Sequence, residues 1–127
     1  MDRKETEQYI VDAYAVDPEY PWAKHPSYTV YRHTSNQKWF ALIMDIPGEK
    51  LGLPGSRTMD VLNVKCDPRM IGSLRAESGF FPAYHMSKNS WLTVALDGSV
   101  DREKVKLLLD MSFDLTAPRL RRRKNLD

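Results

Sequence analysis

A lysine, a thiol and a carboxylate stand side by side at Lys65, Cys66 and Asp67, within the stretch VLNVKCDP at 61–68. Those types in that order could make a nucleophile, because a thiol ahead of a helix N-terminus and beside a cation ionises more readily than a free one. A working nucleophile also needs a base, and His33 and His85 are the histidines that composition offers. Strand parity supplies a plainer reading. Side chains alternate faces along a strand, so Leu62, Val64 and Cys66 share one face while Val61, Asn63 and Lys65 share the other. Cys66 is then a small core side chain at a strand end, and Asp67 caps the helix that follows. No cysteine-protease or redox signature surrounds the thiol, so no catalytic residue is assigned. His25, His33 and His85 show no H-x-x-H spacing and no acid recurs in register with them, so no metal is expected. GSLRAESG at 72–79 lacks phosphate-loop spacing, and no cofactor is expected.

Lys65 invites a different chemistry. By parity it shares a face with Asn63, Trp91 and Trp39, His85 joins them by the same alternation, and Lys88 sits in the adjoining turn. Aromatic rings, cations and amides on one sheet face are how single strands of nucleic acid are often held. The alternative is a face that is merely solvated, or covered by loops such as 47–57. Charge is segregated along the chain in a way that agrees with an anionic partner. Residues 24–93 carry nine basic and five acidic side chains, whereas residues 1–23 carry two and six. Residues 94–118 carry three and five, and the tail 119–127 carries five and one, for a net +2. Its run RLRRRK reads either as a polyanion contact or as a solubilising end.

The elements that must position these residues follow from periodicity. KETEQYIVDAYA at 4–15 puts Thr6, Tyr9, Ile10 and Ala13 on one helical stripe, and Asp17-Pro18 ends it. A proline-rich connector follows, in which Trp22 pins the loop to the core. TVYRH and KWFALIMDI read as two strands joined by TSNQ, with Phe40, Leu42 and Met44 turned to the core and Trp39, Ala41 and Ile43 turned away. TMDVLNVKC is a third strand. A helix runs from about Pro68 to Ser78, with Asp67 as its N-cap and Gly79 as its stop. PAYHM and SWLTVAL are two further strands around SKNS, with Leu92, Val94 and Leu96 inward and Trp91, Thr93 and Ala95 outward. A last helix starts at Asp101 and buries Val105, Leu108 and Leu109. The fold class is α+β in two layers, with helices on one face of an antiparallel sheet and the order α-β-β-β-α-β-β-α. One domain over 1–118 and a basic, mobile tail over 119–127 complete the expected layout.

Length and composition agree with that layout. A chain of 127 residues with 42% apolar content is long enough for one continuous core. Its longest apolar run, WFALIM at 39–44, is too short to span a bilayer, so no membrane is expected. MDRKETEQYI has no apolar signal region and one cysteine allows no internal disulfide, which together indicate a cytoplasmic protein, with a monomer favoured.

YPW, VYRH, KWFALIMDI, VLNVKCDP, GSLR, PAYHMSKNSW and LDGSV, in that order from about residue 5 to residue 116, closely resemble the MmcQ/YjbR family of small bacterial proteins. The resemblance implies an α+β domain of the frataxin-like (CyaY-like) or secretion-chaperone-like kind, and the family is commonly labelled DNA-binding. It brings no settled catalytic set. Three functions then compete. The leading one is a non-enzymatic module for nucleic acid or another polyanion, with Arg32, Lys38, Lys65, Arg75 and Lys88 on phosphates and Trp91 for stacking. The second is a pocket for a small anion, with or without chemistry, built from Arg32, His33, Lys65, Arg75 and His85. The third is a protein-interaction adaptor working through Trp22, Trp39 and the loop 47–57.

Overall fold

The computed structural model describes residues 1–118, and the basic segment 119–127 lies outside them. Three helices pack on a five-stranded antiparallel sheet, which agrees with the α+β class expected from the sequence. Helix α1 spans Arg3–Tyr14; Asp2 accepts from the Glu5 backbone and Glu5 reaches back to the Asp2 N–H, a reciprocal cap. Strands β1 (Thr29–Arg32), β2 (Trp39–Pro47) and β3 (Thr58–Lys65) form a meander interrupted by a 3-10 turn at Gly48–Leu51. Helix α2 (Pro68–Arg75) leads to β4 (Phe80–Pro82), β5 (Trp91–Ala95) and α3 (Arg102–Thr116). Strand order across the sheet is β1-β2-β3-β5-β4. Among the described residues no helix is long and apolar enough to cross a membrane.

Apolar side chains from all three helices meet one face of the sheet. Ile10 of α1, Ile71 and Leu74 of α2, and Val105, Leu108 and Leu109 of α3 pack there on Phe40, Ile43, Leu62, Val64, Leu92 and Val94. Each fully buried Leu or Ile of this layer contributes about 1.5–3 kcal/mol by leaving water. Asp67 and Asp101 cap α2 and α3 as read from sequence. Helix α2 ends at Arg75, three residues before the expected Ser78, since Ala76 already caps it. Gly79 then turns the chain at φ 91°, where an added Cβ would lie 2.6 Å from both Ser99 and Val100. In α1 the stripe holds at Thr6 and Ile10, but Ala13 is exposed.

Strand β2 corrects the expected parity. Tyr31 pairs with Ala41 but Arg32 pairs with Trp39, so Phe40 is an extra residue that bulges out of the ladder. Phe40 and Ala41 therefore both face the helices, Ile43 follows them, and Leu42 and Met44 turn to the opposite face. The bulge also ends β2–β3 pairing at Ala41 and Val64. Ser112 of α3 fills the gap: its hydroxyl donates to the Phe40 carbonyl (2.6 Å) and accepts from the Lys65 N–H (2.8 Å). One helix side chain thus satisfies two buried ladder groups that the bulge orphans.

The fourth strand also differs. A strand over 82–86 was indicated by PAYHM, yet β4 occupies Phe80–Pro82 and residues 83–86 leave the sheet. They fold over the face opposite the helices. A closed ring of hydrogen bonds holds them there: Asn63 Nδ2 donates to the Tyr84 carbonyl (2.8 Å), the Tyr84 N–H to Thr93 Oγ1 (2.9 Å), and Thr93 Oγ1 to Asn63 Oδ1 (2.5 Å). Asn63 and Thr93 are fully buried by this cover.

Candidate functional site: an aromatic pocket on the outer face of the sheet

The face turned away from the helices carries its own apolar layer. Val30, Leu42, Met44, Ile46 and Val61 are buried on it, and Trp22, Tyr28, Trp39, Leu51, Tyr84 and Met86 pack over them. Two segments supply most of that cover, the connector around Trp22–Tyr28 and the stretch around Tyr84–Met86. They leave a cavity of about 400 Å³ between them, floored by Leu42 and Met44 and walled by Trp22, His25, Tyr28, Trp39, His85 and Met86. That volume lies within the usual range for small-molecule sites.

Local chemistry explains the shape. The connector is rich in proline and pairs with β1 only at Glu19 and Val30, through two backbone bonds (2.9 and 3.0 Å), before it crosses the outer face. Trp22 stands edge-on to Trp39 (centroids 5.6 Å apart, 87°) and to Tyr28 (6.0 Å, 76°). His25 lies flat on Tyr28 at 4.4 Å. Burial is the main reason the Tyr28 phenol is pushed up from its ordinary range, so it acts as a neutral hydrogen-bonding group. On the other wall His85 sits at φ 62° with its ring 3.9 Å from that of Tyr84. The lining is therefore aromatic, aliphatic and thioether, with two imidazoles as its ionisable groups besides Tyr28.

The residues singled out from sequence are dispersed. Lys65 and Trp91 do meet: they pair across β3 and β5, and Nζ lies 5.9 Å from the ring centroid. Trp91 is only 8% exposed, so its ring is no open stacking platform. Lys88 is exposed and donates to the Ala83 carbonyl (3.0 Å), bracing the segment that bears His85. Arg32 sits at the β1 edge in an ion pair with Glu19 (2.8 Å), and Lys38 is exposed in the turn beside it. That edge is two strands from Lys65, about 10 Å. Arg75 ends α2 in the helix layer, on the other side of the sheet. His33 is buried, and its Nε2 approaches the Phe113 carbonyl (3.0 Å) and Thr116 Oγ1 (2.9 Å). Thr116 gives its own proton to the Ser112 carbonyl (2.8 Å), so the imidazole carries hydrogen on Nε2 and ties down the end of α3. Burial holds the His33 pKa below its ordinary value, against the Phe113 carbonyl, which raises it.

The Lys65-Cys66-Asp67 corner takes the structural reading. Cys66 is buried with the core, and burial, with the Asp67 charge, pushes its thiol up rather than down. Asp67 accepts from the Arg69 N–H and side chain, and those bonds hold its carboxyl down to about 2.

Of the pocket's walls, sequence reasoning proposed His85, Trp22 and Trp39 for separate roles and missed His25, Tyr28 and Met86. A signal was present. WFALIMDI is apolar at both parities, and an antiparallel strand apolar on both faces needs cover on both. Trp22, His25 and Tyr28 within EYPWAKHPSY supply much of that cover.

The YjbR family model matches residues 11–115. The chain belongs to the YjbR family. It is 39% identical over 116 residues to the uncharacterized protein YyaQ of Bacillus subtilis (strain 168), covering 91% of this chain and 98% of that one. A protein from Pseudomonas syringae is similar in both a crystal and a solution NMR structure. The crystal structure has a TM-score of 0.91 at 44% identity and covers 92% of this chain and all of the other. The NMR structure has a TM-score of 0.85 at 42% identity over the full length of both chains. More distant is the Deinococcus radiodurans protein DR2400, with a TM-score of 0.60 at 26% identity, covering 79% of this chain and 67% of that one. The pocket described above thus lies on a YjbR fold, with all eight of its lining residues inside the family's matched span.

Proposed function

We propose that the protein is a binding module whose ligand places a flat or apolar group in the outer-face pocket. The observation that carries this reading is the meeting of Trp22, Tyr28, Trp39 and Met86 over a floor of Leu42 and Met44 around an open volume of about 400 Å³. Aromatic and thioether walls favour planar partners, and rings at right angles allow a guest to stack on one and meet the other edge-on. Among the described residues no serine, cysteine or lysine lines the cavity beside its imidazoles and the Tyr28 phenol, which favours binding over covalent chemistry. A fragment screen followed by NMR tests it. Aromatic fragments should shift the indole N–H signals of Trp22 and Trp39 and the methyl of Met86. Shifts confined to other surfaces would overturn the reading.

A nucleic-acid ligand is the second reading, favoured by the basic excess of residues 24–93. Kinship with frataxin-like folds, implied by the sequence resemblance, belongs with it as a proposal. Anisotropy with labelled single- and double-stranded DNA across a salt series decides it, on the full chain and on a truncation ending at Pro118. Binding by both, with a salt slope flattened by joint Lys65→Ala and Lys88→Ala substitution, would support it. Binding lost with the tail, or an unchanged slope, would remove it.

A further inference from the structure

We propose that the pocket takes a planar aromatic acid, with its ring against Trp22 and Trp39 and its carboxylate held by His25 and His85. The inference rests on the pocket reading above and adds the charge of the ligand. Its basis is the placing of the two imidazoles. They belong to segments some sixty residues apart in sequence, yet both line the same cavity. His25 is exposed and braced against Tyr28, and His85 is exposed and braced against Tyr84. Each ring is therefore held against an aromatic neighbour while lining the cavity.

His85 is positioned at some cost. A non-glycine residue in the left-handed region is strained, and the fold holds it there regardless. The Asn63–Tyr84–Thr93 ring precedes it and the bond from Lys88 to the Ala83 carbonyl closes over it, so the imidazole is presented from a backbone with little freedom.

The surrounding charges agree with an anion. No carboxylate lines the cavity, and Lys24 and Lys88 flank the two histidines along their segments. Glu19 of the connector is engaged by Arg32. Asp45, whose charge reaches Tyr28, is held by Ser27 and lies 4.0 Å from Arg3. The remaining facing groups, Tyr28 and Tyr84, are phenols. An aryl carboxylate entering ring-first would bury its flat faces in the aromatic corner and leave its charge beside two imidazole donors. Hydrogen bonds to a charged group are roughly twice as strong as neutral ones.

Calorimetric titration with 1-naphthoate and its neutral isostere 1-naphthamide tests the inference on the full chain. Both probes should bind near pH 6, with naphthoate about ten-fold tighter. A joint His25→Gln and His85→Asn variant should lose the gap between the two probes; Asn is chosen because it tolerates the left-handed backbone. His25→Gln alone alters one exposed side chain, and it must narrow the gap by itself if the double variant proves unstable. Equal affinities near pH 6, or a gap that survives these substitutions, would overturn the aromatic acid while leaving the pocket reading intact. Binding of neither probe would overturn both.

Discussion

The two faces of one sheet are built to different ends. On the helix side, side chains from α1, α2 and α3 interlock with the strands into a layer in which Leu62, Ile43 and Leu109 have no exposed surface at all. On the outer side the strands carry a smaller apolar layer, but its cover is made of connecting segments rather than helices, and it leaves a hollow. Helices present an unbroken stripe that can close a sheet face. A proline-rich connector and a short irregular stretch meet it only where an aromatic ring or a buried hydrogen bond reaches down. The first face supplies stability, and the second trades part of that burial for an accessible aromatic surface.

Substitutions should separate the two faces, and the largest effect belongs to the helix side. Leu62→Ala should lower unfolding free energy by about 2–5 kcal/mol in urea titrations, through lost burial and the cavity left behind. A loss comparable to that of an exposed site would refute the division of labour. Ser112→Ala should follow, at about 1–3 kcal/mol, since it leaves the Phe40 carbonyl and the Lys65 N–H without their partner. Amide exchange at Lys65 should speed up well beyond that of its neighbours.

On the outer face Asn63→Ala should cost a similar or slightly smaller amount, because it opens the ring with Tyr84 and Thr93. Its diagnostic is position: faster exchange at Tyr84, with the α3 amides unaffected. Trp39→Ala sharpens the comparison further. The ring is half-buried, so the substitution should cost under about 1.5 kcal/mol in stability yet remove fragment binding. Loss of folding in step with binding would make the pocket wall structural.

A smaller effect is expected from pH. His33 titrates below its ordinary value in the folded chain because it is buried, so the unfolded chain takes up the proton first as pH falls. The contribution of neutral His33 is complete above pH of about 6.5 and is lost on descent through the lowered folded value. His33→Gln should flatten the stability profile in that window, and an unchanged profile would show that other groups set it. Smallest of all, Cys66 should resist alkylation in the native state and react on unfolding, as a buried thiol with a raised pKa does.

Much of this could be read from particular residues. Asp67-Pro68 and Asp101 announce helix starts through caps that need only local chain geometry. Leu62, Val64 and Cys66, like Leu92, Val94 and Leu96, alternate so regularly that their shared core was legible. WFALIM carries no such alternation. An all-apolar run has no preferred face, so the bulge at Phe40 and the reversal of Leu42 and Met44 left no trace in it. PAYHM has strand-like types, but whether it stays in the sheet depends on Asn63 and Thr93, which lie on two other strands.

What the sequence by itself determined is therefore the set of elements, their caps, the helix-side core and the family to which the chain belongs. Those depend on local propensity and on patterns within single segments. Only the tertiary structure decided that Trp91 and Asn63 are covered, that His33 serves the end of α3, and that Arg32, Lys65 and Arg75 lie apart. It alone brought His25 and His85 to one cavity, because a pocket is made by segments distant in the chain, and no local signal records which of them will meet.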